Sequence, residues 1–292
     1  MIKNVLACLV FEEDSVVWDM VANLRYLDPS SVVLIYNNSG NSNFLKENPY
    51  RRDPHVIICP VLPEKKLIYG VFHLFMIDCM RWSLKNLDFD TITNVDSDQL
   101  LLRSGYSEAL TRVLSEHENF GMLSSPPSTY SWPNNLPYDP TQVSFPEEMA
   151  AKELPRWLPI LSRWQGGVGH YPKFSFWPAT CFGRSAARGI VKLYDEDAVL
   201  REAMKKSKIF ATEEVILPTL VSLMGYEIVQ SPFCFDSIRF RARFTIDDLS
   251  RFLKNPDNIW MHSVNRKIND PMRTRIRLAH GKYETGKKND LS

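Results

Sequence analysis

No two of the five cysteines (Cys8, Cys59, Cys79, Cys181 and Cys234) form a CxxC pair, and they are odd in number and far apart. That excludes a zinc ribbon and argues against a secreted disulfide scaffold. Each lies in an apolar run such as Val56-Ile57-Ile58-Cys59 and reads as a reduced core residue. No apolar stretch approaches the ~18 residues that a membrane span requires. The run from Met1 to Val10 is followed at once by Phe11-Glu12-Glu13-Asp14, without the length of a signal-peptide core or a small-residue cleavage site. It reads as a first strand, and a cytoplasmic chain is the expectation. No charge of one sign dominates: 35 basic residues face 34 acidic ones, for a net charge of +1. The chain as a whole therefore has no pull toward nucleic acid or membrane, and any anion site must be local. GxSxG, HExxH, P-loop and GxGxxG signatures are absent, as are internal repeats and low-complexity tracts. Gly166-Gly167-Val168-Gly169 follows no strand pattern and reads as a turn.

What is present is alternation. With 292 residues and a 44% hydrophobic fraction the chain can build one large α/β domain or two small ones. Residues 3–10 form an apolar run suited to a strand buried on both faces. Asp14 is placed to cap a following helix in which Val17, Val21, Leu24 and Leu27 recur at helical spacing. Val32 to Tyr36 and Val56 to Cys59 read as strands, 68–86 as a long helix, and Phe89 to Val95 as a strand that runs into Asp96-Ser97-Asp98. This order describes βαβ units around a mostly parallel sheet flanked by helices. Residues 126–159 interrupt it with eight of the 19 prolines, which excludes a regular sheet there, and the aromatics among them favour a partly ordered loop over a linker. Afterwards Ala179 to Phe182 reads as a strand, 184–194 and 212–224 as helices, and Tyr226 to Val229 as a strand. The expected organisation is a single domain over 1–275, with an irregular insertion at 126–178 and a basic, polar tail at 276–292.

Three constellations could carry chemistry. Asp96 and Asp98 fall just past a sheet strand, where open α/β sheets bind ligands, and two carboxylates there can share Mn²⁺ or Mg²⁺ with substrate phosphates. The spacing alone is weak: 18 aspartates yield three such pairs, and a solvated turn with an Asx hydrogen bond is the alternative reading of this one. Glu213 and Glu214 follow Thr212 at a helix start. There they either simply favour the helix dipole or offer a base to an acceptor hydroxyl. Arg266, Lys267, Arg273, Arg275 and Arg277 form the densest basic patch, suited to a diphosphate or to a solvated helix face. No nucleic-acid motif accompanies it. Seven tryptophans enrich the chain in aromatics. Trp132, Trp164 and Trp177 offer ring platforms for a sugar, although any one such ring is more often core.

In their order these pieces resemble a GT-A (Rossmann-like) glycosyltransferase and, more distantly, the core-2/I-branching and xylosyltransferase family. His73 to Leu84 followed by Phe89 to Arg103 is similar to that family's aromatic helix and donor-side strand. Ala211-Thr212-Glu213-Glu214 with Thr219-Leu220 is similar to its catalytic segment. His262-Ser263-Val264-Asn265-Arg266-Lys267 is similar to its basic element, with Ser263 in place of a proline. The resemblance implies transfer from a nucleotide-sugar donor, a UDP-sugar, to a hydroxyl-bearing acceptor such as a glycan, by single displacement with inversion. It makes Glu214 the base beside Glu213, and gives Asp96, Asp98, His262, Arg266 and Lys267 to the donor. That family works without a cation, whereas Asp96-Ser97-Asp98 resembles the motif of metal-dependent GT-A enzymes; Mn²⁺ or Mg²⁺ is therefore expected at Asp96 and Asp98, the alternative being a metal-independent enzyme in which they contact only the ribose or the sugar. A non-catalytic nucleotide- or sugar-binding protein on the same fold and a nucleotidyltransferase are the alternatives.

Overall fold

A computed structural model describes residues 3–41, 43–68, 70–124, 146–238 and 244–283. Strand β1 (Asn4–Val10) is buried along its whole length and leads into α1 (Asp14–Leu27), then β2 (Val32–Asn37) and β3 (Val56–Ile58). Helix α2 (His73–Asn86) returns the chain to β4 (Thr91–Asp96), followed by β5 (Gln99–Leu101), α3 (Tyr106–Glu116) and β6 (Phe120–Ser124). Next come α4 (Pro146–Leu161), β7 (Cys181–Gly183), α5 (Arg184–Glu196), α6 (Ala198–Lys206), α7 (Thr212–Leu223) and β8 (Glu227–Gln230). Helix α8 (Ile246–Lys254), β9 (Trp260–His262) and α9 (Pro271–Ala279) complete the described chain.

The main sheet has the order β3-β2-β1-β4-β7-β6-β8, and a separate two-stranded ribbon pairs β5 with β9. β1, β2, β3 and β4 are parallel, β7 runs antiparallel between β4 and β6, and β8 is parallel to β6. The α/β fold with a mostly parallel, helix-flanked sheet is therefore as the sequence indicates. From β1 the chain first moves outward to β2, and later returns on the other side as β4. Strand order thus reverses between β1 and β4, where Leu9 pairs with Asp96. A crevice opens at such a switch point, past the carboxyl ends of the strands.

The far end of the same strands is closed by a buried polar network. The Asn4 carboxamide oxygen accepts hydrogen bonds from the Thr91 and Thr93 hydroxyls, and its amide donates to Ser31. Ser31 and Ser107 donate in turn to Asp28. These partners satisfy polar atoms that could not otherwise be buried between α1, α3 and the sheet.

Three local readings need correction. Asp14 does not cap α1: Glu13 holds the N-cap position without a side-chain hydrogen bond, and Asp14 lies in the first turn. Thr212 does not cap α7, because its hydroxyl turns back to Ser207 and the Ile209 carbonyl. The proline-rich stretch is not irregular to residue 159, since α4 carries Pro155 and Pro159 within it. Trp157, Ile160 and Leu161 are buried there, so apolar contact compensates for the missing backbone donors. At the C-terminal end α9 stays regular past residue 276, with Ile276 fully buried.

Candidate functional site

Each side chain at the crevice is brought there by a separate element. β1 leads directly into Phe11 and Glu12, and β4 ends in Asp96. Ser97 and Asp98 form the turn into β5, where register pairs Gln99 with His262 of β9. That short ribbon carries a histidine from the far end of the chain to the two aspartates. The His262 Nε2 lies 3.4 Å from Asp98 Oδ1 and 3.8 Å from Asp96 Oδ2. On the opposite wall stands α7, in which every residue except Ser222 is buried. Its first turn places Glu213 and Glu214 on a cleft of about 270 Å³ that Asp96, Asp98, His262 and Arg266 also line.

Burial dominates the electrostatics. It pushes the Asp96 carboxyl up to about 6, against the pull of His262. Asp98 feels the same burial, but His262 and Arg266 outweigh it and hold its carboxyl below the ordinary range. Glu213 is pushed up to about 8 by burial, despite backbone N–H donors from Gly70 and Phe72. Glu214 is driven well above the carboxylate range by burial and then by Glu213 beside it. One Glu214 oxygen accepts the Trp177 backbone N–H at 2.9 Å. The other, like Oε2 of Glu213, has no hydrogen-bond partner among the described residues. Buried carboxylate oxygens left without partners are costly in a core and useful in a site.

A stability consequence follows for the metal-free protein. The folded-state value of Glu213 exceeds its ordinary 4.5, so the contribution of the protonated form is complete below 4.5 and is lost as pH rises through about 8. Glu213→Gln keeps the protonated shape without the charge. In urea unfolding the variant should gain on the native protein between about pH 5 and pH 9, by on the order of a few kcal/mol. An equal difference at both pH values would contradict a charge buried at this position.

The turn that holds Asp98 is fastened from behind. Arg273 of α9 is fully buried and donates to Asp19 Oδ2 at 2.8 Å and to the Ser97 carbonyl at 3.1 Å. Arg277 adds a second contact to Asp19 at 3.2 Å. Two members of the basic patch therefore serve the scaffold. Arg266 alone of the patch lines the cleft, while Lys267 is exposed and Arg275 projects from α9. Trp177 lines the cleft, but Trp164 packs half-buried beyond the end of α4, and Trp132 lies outside the described residues. Phe11, Phe72 and Phe176, which no sequence signal singled out, form the cleft's apolar walls.

Asp96, Asp98 and His262 each present a ligand atom within 4.8 Å of the others, a cluster that could hold a metal ion. Carboxylates suit Mg²⁺ and Mn²⁺ alike, whereas an imidazole is a better donor to a transition metal than to Mg²⁺.

No protein-family model and no curated protein matches the sequence. Solved structures do match in fold. A galactosyltransferase, LgtC, determined in complex with donor and acceptor sugar analogues, aligns with a TM-score of 0.51 at 10% sequence identity, covering 97% of each chain. A second match is 4-diphosphocytidyl-2C-methyl-D-erythritol synthase, at 12% identity, 87% of this chain and 100% of the other, but its TM-score of 0.41 is too low to argue from. The chain shares the GT-A α/β fold of that galactosyltransferase. No described helix is long and apolar enough to cross a membrane.

Proposed function

We propose that this chain is a glycosyltransferase that takes a sugar from a nucleoside-diphosphate donor, a UDP-sugar, and passes it to a hydroxyl of a glycan or similar acceptor. The observation that carries this reading is one cleft with two unlike walls. One wall gathers Asp96, Asp98, His262 and Arg266; the other offers Glu213 and Glu214, each with a buried oxygen that has no hydrogen-bond partner among the described residues. The first wall suits a diphosphate with its cation, and the second suits a reacting hydroxyl. That the galactosyltransferase of like fold was solved with donor and acceptor sugar analogues supports it.

Asp96, Asp98 and His262 would hold the metal, whose charge would stabilise the departing diphosphate. Arg266 adds a second positive charge to the same wall. Glu214 stands as base, its free oxygen receiving the acceptor proton. The acceptor oxygen forms its bond to the anomeric carbon as the bond from that carbon to the diphosphate breaks on the opposite face. The stereochemical outcome is inversion, as the resemblance to the core-2/I-branching and xylosyltransferase family implies. Environment supports a base here, since a carboxyl lifted by burial is the stronger proton acceptor once ionised. Trp177 stands beside Glu214 and would form the inner end of an acceptor wall.

The test is metal dependence of transfer. EDTA should suppress turnover, Mn²⁺ should restore it better than Mg²⁺, and Asp98→Asn should behave as the chelated enzyme does. Full activity in EDTA would remove the metal and leave Arg266 as the principal charge facing the diphosphate. A nucleotidyltransferase would instead release pyrophosphate from a nucleoside triphosphate, which the same assay can detect.

A further inference from the structure

Arg266 stands where a bound cation's charge would be felt. Its Nε lies 2.9 Å from Glu12 Oε1 and its Nη2 3.0 Å from Asp98 Oδ1, the same oxygen that His262 approaches. Nε also donates to the Ser97 hydroxyl at 3.1 Å, which in turn donates to Glu12 at 2.5 Å. The guanidinium centre is 5.2 Å from the centroid of the Phe11 ring. Its anionic partners are deeply buried, with 5% of the Glu12 and 11% of the Asp98 side chain exposed, while Arg266 itself is 41% exposed. The arginine, half in solvent, has room to swing outward once another cation compensates the carboxylates, which stay in place. A dication on Asp98 would lie within a few ångströms of this guanidinium, and like charges so close repel strongly in a partly dry site.

We propose that Arg266 is a positioning residue that couples the metal to the nucleotide: it holds Asp98 while the cleft is empty, and leaves Asp98 for the donor diphosphate when the cation takes its place. The proposal rests on the metal and donor assignment above. Without nucleotide, the metal must displace an ion pair and binds weakly. With nucleotide present, the displaced guanidinium gains a doubly charged partner, so each ligand strengthens the other's binding by the same factor. Glu12, Phe11 and the Ser97 hydroxyl would guide the side chain between its two positions.

Mn²⁺ binding, followed by the electron paramagnetic resonance signal of the free ion with and without UDP, tests this without recourse to turnover. Arg266→Ala should bind Mn²⁺ alone roughly 3- to 10-fold more tightly than the native protein, the range expected for losing one half-exposed ion pair. UDP should then improve Mn²⁺ affinity in the variant by a factor at least several-fold smaller than in the native protein. Arg266→Gln, which keeps the side chain's length, should behave as the alanine variant does, and Arg266→Lys should restore much of the coupling. Unchanged or weaker Mn²⁺ binding by both neutral variants, with the native protein binding Mn²⁺ normally, would overturn the coupling and leave the functional reading intact. Absence of Mn²⁺ binding by the native protein even with UDP would overturn both.

Discussion

Glu214→Gln should retain donor binding and lose transfer by roughly 10²–10⁴-fold, the usual cost of removing a general base. Glutamine keeps the shape and can still meet the Trp177 N–H through its carbonyl oxygen, but it cannot accept the acceptor's proton. The loss should therefore fall on kcat, with KM for the donor little changed. Glu213→Gln is the paired control. Loss in that variant with Glu214→Gln active would move the base by one residue, and full activity in both would place it elsewhere. Such a result would also remove the link to the core-2/I-branching and xylosyltransferase family, which rests in large part on this segment.

Arg273→Met should be the most destabilising single change near the site, by about 3–5 kcal/mol, because it leaves Asp19 charged and buried with only part of its compensation. Asp19 is 6% exposed and Arg273 not exposed at all, so water cannot reach in to replace the lost partner. In a protein of this size the melting temperature should fall by on the order of 10 °C. The double variant Asp19→Leu, Arg273→Met should recover most of the loss, since no buried carboxylate is then left without its arginine, and Arg277 is partly exposed. If Arg273→Met melted as the native protein does, Arg273 would not be a scaffold residue and the Ser97 carbonyl would need another anchor. Loss of that anchor should also weaken Mn²⁺ binding in the folded variant, because Asp98 follows Ser97 in the same turn.

The chain discloses its framework where pattern is local. β1 and β2 are nearly continuous apolar runs and β4 is rich in β-branched residues, and α1, α2, α5 and α7 show periodicity or length enough to be recognised. Asp96 and Asp98 stand out because a buried strand ends directly in them, and Glu213 and Glu214 because a helix begins there. Elsewhere the determining contact is distant. β5 and β9 are three residues each, too short to carry a pattern, yet their pairing is what carries His262 to the aspartates. Within the sequence, only the family resemblance marks His262 for the donor. Arg273 sits among five basic residues and looks like solvated surface until Asp19, more than 250 positions away, is seen beneath it. Pro155 and Pro159 argue against a helix locally, and burial of Trp157, Ile160 and Leu161 overrides them. The Thr212 cap fails for a similar reason, since its hydroxyl finds Ser207 and Ile209 first.

The central claim is that one buried cleft binds a nucleoside diphosphate through a metal on Asp96, Asp98 and His262. Thermal unfolding with UDP, in the presence and absence of Mn²⁺, tests it most directly. At 100 times its Kd the nucleotide should add about 2.7 kcal/mol of stability. The account predicts a marked rise in melting temperature with UDP and Mn²⁺ together, a small one with either alone, and loss of the joint effect in Asp98→Asn. A shift with UDP that is indifferent to Mn²⁺ and to Asp98→Asn, or no shift under any combination, would contradict it.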